Sequence, residues 1–147
     1  MDERTSPGRQ AGQVKTYVFD ASALFVYLQK KTSAETVARL LKEANNRHAA
    51  IFMSAVNYGE FYATMLRLHD RDRTLAIMRA ARSLPMELSD ATPGRAVHAA
   101  DIKTTYRLHY ADSFAAALAL EHNATLVTSD SDFRRLGHGF PTVWLKN

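Results

Sequence analysis

The chain has 147 residues, 46% hydrophobic and 23% charged, with 19 Lys and Arg against 15 Asp and Glu for a net charge of +4. That is one domain's worth of globular sequence, long enough to bury a sizeable core. The lack of cysteine excludes disulfides, thiolate metal sites and cysteine nucleophiles, and no apolar run approaches the roughly 18 residues a bilayer span requires. The opening MDERTSPGRQAGQVK is polar, without the apolar stretch of a signal peptide. Residues 1–15 therefore read as a flexible lead-in and residues 16–147 as the folded domain, in a chain that fits the reducing cytoplasm.

Taken in order, Thr16 to Asp20 (TYVFD) has the aromatic and β-branched content of a buried strand. It runs into ASALFVYLQKK, where Leu24, Phe25 and Leu28 suit a short amphipathic helix. Thr32 or Ser33 can cap a second helix, SAETVARLLKEANN, with Val37, Leu40 and Leu41 on one face. Ala49 to Ser54 (AAIFMS) reads as a strand and AVNYGEFYATMLRLH as the helix after it. Asp70 or Asp72 can cap a helix, RTLAIMRAARSL, that stops before Pro85. MELS is a short strand, and ATPGRAVHAADIKTTYRLH is helical, with Pro93 where a first-turn proline is tolerated. ADSFAAALALEHN predicts a helix capped by Asp112, its alanines 115, 116, 117 and 119 allowing close packing. ATLVTSD, a helical turn SDFRRLG and a final strand TVWLK close the chain. This alternation predicts an α/β fold, a single domain with a largely parallel central sheet flanked by helices.

In such a sheet, ligands bind beyond the carboxyl ends of the strands. Asp20 follows the first strand and Asp130 follows the fourth, while Glu60 lies six residues beyond Ser54. Asp112 opens a helix that travels about 15 Å, and the strand after it returns about 20 Å, so Asp130 comes back to the edge where Asp112 began. Glu60 sits about 9 Å along its helix and has an extra methylene with which to reach back. Asp20, Glu60, Asp112 and Asp130 can therefore face one spot. Each aspartate can equally be a helix N-cap, and Glu60 a solvated helix residue. Asp132 can be a fifth ligand, a supporting group or a cap, and Ser22 and Thr128 can orient a carboxylate or bond locally in a turn.

Like charges about 4 Å apart repel by roughly 1 kcal/mol per pair in water and by more inside a protein. A divalent cation removes that repulsion, and all-oxygen ligands select hard ions such as Mg²⁺ or Mn²⁺, which can activate water and stabilise charge on a phosphate. With the four acids set aside, 11 Asp and Glu face 19 Lys and Arg, a surplus of +8. Lys30, Lys31, Lys103, Arg107, Arg134 and Arg135 are candidates to meet a nucleic-acid backbone. The six histidines (48, 69, 98, 109, 122 and 138) show no metal-ligand spacing, and Phe25, Tyr27, Tyr58, Phe61 and Tyr62 read as packing residues.

The segments YVFDASAL, SAVNYGEFYATM and YADSFAAALALEHNATLVTSDSDF resemble, in order, the acidic motifs of PIN-domain proteins. They are most similar to the ribonuclease half of VapBC toxin–antitoxin pairs, over residues 16–144. The resemblance places Asp20, Glu60, Asp112 and Asp130 in the four acidic positions. It implies Mg²⁺ or Mn²⁺, endonucleolytic cleavage of RNA, homodimerisation and inhibition by a cognate antitoxin, bound over residues 33–46 and 55–69. Ala21 stands where many members carry a hydroxyl residue, and Asp132 is an acid only some possess. Three alternatives stand beside the toxin nuclease: a PIN nuclease of RNA processing, an inactive PIN fold that binds RNA or protein, and a receiver-like phosphotransfer domain built on Asp20.

Overall fold

A computed structural model describes residues 14–147, so most of the predicted lead-in lies outside the described residues. Five strands form the sheet: β1 (Lys15–Phe19), β2 (Ala49–Ser54), β3 (Glu87–Ser89), β4 (Thr125–Thr128) and β5 (Thr142–Trp144). Six helices connect them: α1 (Ala21–Leu28), α2 (Ala34–Asn45), α3 (Ala55–Leu68), α4 (Arg71–Arg82), α5 (Pro93–Tyr106) and α6 (Tyr110–Glu121), with a 3₁₀ turn over Ser131–Leu136. Every pairing is parallel, and the strand order is β3-β2-β1-β4-β5. That order differs from the β2-β1-β3-β4-β5 arrangement of receiver domains, which removes the phosphotransfer alternative.

Alternation along each strand divides the core into layers. Val18 and Leu126 face α5 and α6, whereas Phe19, Ile51 and Val127 face α1 and α2. Leu24 and Met53 join Phe61 and Met65 of α3 and Met78 of α4 in a third cluster. Phe25, Tyr58, Phe61 and Tyr62 pack into that third cluster, and Tyr27 packs against the second. Because both faces are covered, the central strands read as nearly continuous apolar runs.

The chain builds β1, β2 and β3 outward in one direction, then crosses to place β4 and β5 on the other side of β1. The switch point lies between β1 and β4, where Phe19 is in register with Val127. Crevices form at such points because the flanking connections leave in opposite directions.

Helix boundaries follow local chemistry. Asp70, not Asp72, caps α4 by accepting from Arg73 N at 2.7 Å. Thr92 caps α5, with Pro93 at its first position. Ser33 precedes α2, but its hydroxyl accepts from Lys146 N at 2.8 Å instead of capping the helix. Helix α6 begins at Tyr110, three residues earlier than a cap at Asp112 would place it, so Asp112 lies inside its first turn and caps nothing.

All residues from Asp112 to Ala119 are buried, as in a helix enclosed on every side. Ala115 and Ala116 are wholly inaccessible, packed with Val18 and Leu126. Ala116→Leu would force added volume against a sheet held by main-chain bonds. It should destabilise the fold by about 1–3 kcal/mol, read as a fall in the denaturant midpoint at unchanged slope.

Candidate functional site

Asp20 directly follows β1 in extended backbone and caps α1. Its Oδ1 accepts from Ala23 N at 3.1 Å and from the Ser22 hydroxyl at 2.7 Å, and its Oδ2 accepts from the Thr128 hydroxyl at 2.6 Å. Ser22 Oγ in turn accepts from Ser129 N at 2.8 Å, and Thr128 Oγ1 accepts from Asp130 N at 2.9 Å. Each hydroxyl has one proton, and both are given to Asp20, so the 3.2 Å approach of the two oxygens is a contact without a donated proton. Asp20 is only 4% exposed. Burial raises its pKa to about 6 against the lowering effect of its three hydrogen bonds.

The main chain turns at the end of β4 to present the next acids. Asp130 Oδ1 accepts from Asp132 N at 2.9 Å and so caps the 3₁₀ turn, which buried Phe133 anchors in the core. Capping and site roles coexist at Asp20 and Asp130, since a carboxylate has more acceptor positions than a cap consumes.

Asp112 enters from the first turn of α6 and Glu60 from the second turn of α3. Asn57, a residue the sequence reading passed over, links the two helices. Its amide nitrogen donates to Glu60 Oε1 at 3.1 Å and to the Ala111 carbonyl at 2.9 Å. The signal available in the sequence was its position three residues before Glu60, which puts both on one face of a helix.

Asp20, Glu60, Asp112 and Asp130 line one cleft of about 280 Å³, with Ser22 and Ser129 beside them and Phe25, Phe61 and Thr64 completing its walls. Among the described residues, the acids whose oxygens all lie within 4.8 Å of one another are Asp112, Asp130 and Asp132. Asp20 and Glu60 stand outside this tight group. Asp112 registers the crowding: burial first, then the charges of Asp130, Glu60, Asp20 and Asp132, raise its pKa to about 7. The positive end of α6 opposes that rise without cancelling it. An all-carboxylate, partly desolvated and mutually repelling donor set fits a hard divalent cation.

The basic candidates lie outside the lining of the cleft. Lys31 Nζ lies 5.4 Å over the ring of Phe25, which lines the cleft. Arg134 stacks on Trp144 at 4.3 Å, and Trp144 is in register with Thr128. Arg135 donates to the Arg107 carbonyl and approaches Asp132 at 3.8 Å, while Lys30 and Lys103 are exposed at the ends of their helices. His48, His109 and His138 are exposed, and His69, His98 and His122 are partly buried; none belongs to the acidic group.

A protein-family model described as PIN domain matches residues 17–139. Among solved structures, the chain is similar to VapBC2 of Rickettsia felis bound to a DNA fragment from its promoter. Sequence identity there is 17%, the TM-score is 0.68, and the match covers 87% of this chain and 97% of that one. VapC20 of Mycobacterium tuberculosis, a sarcin-ricin loop cleaving toxin, matches at 16% identity and TM-score 0.68, covering 88% and 99%. DNA-bound VapBC of Salmonella typhimurium matches at 17% and 0.68, covering 89% and 98%. At these identities the likeness is one of fold. No curated protein matches the sequence.

The two raised carboxyls set the sign of a pH dependence. Each binds its proton more tightly in the folded chain than at its ordinary value of 3.8. Between that value and about 7 the folded state therefore holds more protons than the unfolded state, and this contribution to stability falls as pH rises through the window. In chelator, Asp112→Asn should raise the melting temperature at about pH 8, by the equivalent of roughly 1–2 kcal/mol, and flatten the profile. Asp20→Ala should instead cost about 1–3 kcal/mol, because it leaves the Ser22 and Thr128 hydroxyls and Ala23 N without their acceptor. Thermal unfolding of the three proteins across this pH range checks both signs.

Proposed function

The chain belongs to the PIN domain family, and from that premise we propose that it is a metal-dependent endoribonuclease, the toxin of a type II toxin–antitoxin pair. The observation that carries the reading is the convergence of Asp20, Glu60, Asp112 and Asp130, from separate stretches of chain, on one cleft at the switch point.

In this reading Asp20, Glu60, Asp112 and Asp130 hold Mg²⁺ or Mn²⁺, with Asp132 beside them. The ion supplies Lewis-acid stabilisation of the charge that develops on a phosphodiester. Asp20, tied by three hydrogen bonds, is a fixed anchor that needs no reorganisation when substrate arrives. Asp112, on the first turn of α6 and lining the cleft with Asp20, Glu60 and Asp130, is placed to orient a water beside the ion. Glu60 is exposed at the mouth and has the reach to share that task.

RNA is the substrate this reading assigns. The phosphate chain would be drawn by Lys103, Arg107, Arg134 and Arg135, and by Lys30 and Lys31. Ser22 and Thr128 act through Asp20. The antitoxin reading is supported by a groove of about 310 Å³ between α1 and α2, walled by Tyr27, Leu28, Ala34 and Ala38, and by exposed Leu66 and Leu68 on α3. Solved relatives of the same fold are complexes of toxin with antitoxin. The protein would work as a cytoplasmic homodimer. Among the described residues, no helix is long and apolar enough to cross a membrane.

Purified protein should cut structured or single-stranded RNA only when Mg²⁺ or Mn²⁺ is present. Asp112→Asn and Asp130→Asn should each lower the rate by roughly 100-fold or more while the protein stays folded. Cleavage that survives both substitutions would overturn the assignment. A folded wild type that binds RNA or a partner but cuts nothing would make it an inactive PIN module. Active protein with no antitoxin reading frame beside its gene would favour a role in RNA processing.

A further inference from the structure

Asn57 is 0% exposed, at the third position of α3. Both hydrogens of its amide nitrogen are committed, one to Glu60 Oε1 and one to the Ala111 carbonyl, while its Oδ1 is buried with no partner. The two groups facing the nitrogen are both acceptors. The reverse amide orientation would set oxygen against oxygen at each, so the observed one is required.

Stability gives no reason for an amide at this position. The Ala111 carbonyl lies within α6, where the helix ladder also supplies a donor, and Glu60 is exposed to water. Removing Asn57 would orphan neither partner, whereas keeping it buries an unsatisfied oxygen, which is destabilising. What the amide secures is a spatial relation. Ala111 directly precedes Asp112, so one planar group ties the Glu60 carboxylate to the backbone that carries Asp112. Glu60 and Asp112 repel one another, and an untethered glutamate on an exposed helix face would turn toward solvent.

We propose that Asn57 is a positioning residue for the acidic cleft, holding Glu60 Oε1 beside Asp112 so that the acids meet a divalent cation already in place. This inference rests on the reading of the cleft as a cation centre and adds to it a residue outside the acidic set.

The test is a Mn²⁺ titration without RNA, read by thermal unfolding, on the wild type, Asn57→Leu, Asn57→Ala, Glu60→Ala and the Glu60→Ala/Asn57→Leu double variant. Asn57→Leu keeps the branched outline at a larger volume and removes the unpartnered oxygen. Overpacking and relief of that oxygen therefore oppose one another, and its ion-free melting temperature should stay near that of the wild type. Its half-saturating Mn²⁺ concentration should rise about tenfold, and Asn57→Ala should show the same rise if the leucine variant fails to fold. In the Glu60→Ala background, Asn57→Leu should produce no further change, an outcome a purely structural residue would not give. Wild-type Mn²⁺ binding in either folded Asn57 variant would overturn the inference, as would an Asn57→Leu effect that persists without Glu60. If the wild type itself gains no stability from Mn²⁺, the cation centre fails first, before any substitution is compared, and the inference falls with it.

Discussion

The hydrogen bond from the Thr128 hydroxyl to Asp20 Oδ2, 2.6 Å across the β1–β4 boundary, is the contact on which the cleft depends. Strands β1 and β4 part company there, and the connections leaving them run to opposite faces of the sheet. A carboxylate buried at that point without partners would protonate or draw in water. Thr128 and Ser22 prevent this by giving their only protons to Asp20 while accepting from the backbone of Asp130 and Ser129. The same two hydroxyls thus satisfy the acid and shape the turn that delivers the next acid.

Around that anchor, attraction and repulsion are distributed unequally. Asp20 receives hydrogen bonds and Asp130 holds a cap, but Asp112 faces the others with little beyond the helix dipole to favour its charge. The chain accepts this imbalance at one residue, the usual mark of a site arranged for a ligand rather than for its own stability. Burial of the unpartnered Asn57 oxygen is a second local cost in the same few ångströms.

Much of this was legible in the sequence because it depends on short-range pattern. The five strands and six helices follow from apolar periodicity and from turn chemistry, and Asp20, Asp130 and Glu60 could be placed once the strand ends were known. Asp112 reached the correct rim for a partly mistaken reason. It looked like a cap because aspartate favours that position, whereas α6 starts at Tyr110. The role of Asn57 was out of reach, since half of it lies in a bond to a carbonyl 54 residues away and no local pattern encodes that distance. The tight grouping of Asp132 with Asp112 and Asp130 depends on the path of the 3₁₀ turn, which spacing alone leaves open. Arg134 was singled out for its charge, but its stacking on Trp144 required the register of β5 against β4.

The alanine-lined α6 has a consequence for how such a protein can diversify. Asp112 is carried on a helix whose buried neighbours have almost no side chain to rearrange, so the acid inherits the rigidity of the backbone, with few rotamers to blur its position. A helix of that kind offers few tolerated substitutions. New preferences for one RNA over another would therefore have to be written elsewhere, on exposed surfaces such as α4 and the 3₁₀ turn, where side chains can change without disturbing the acids. The fold separates the part of the molecule that must stay still from the part that is free to vary.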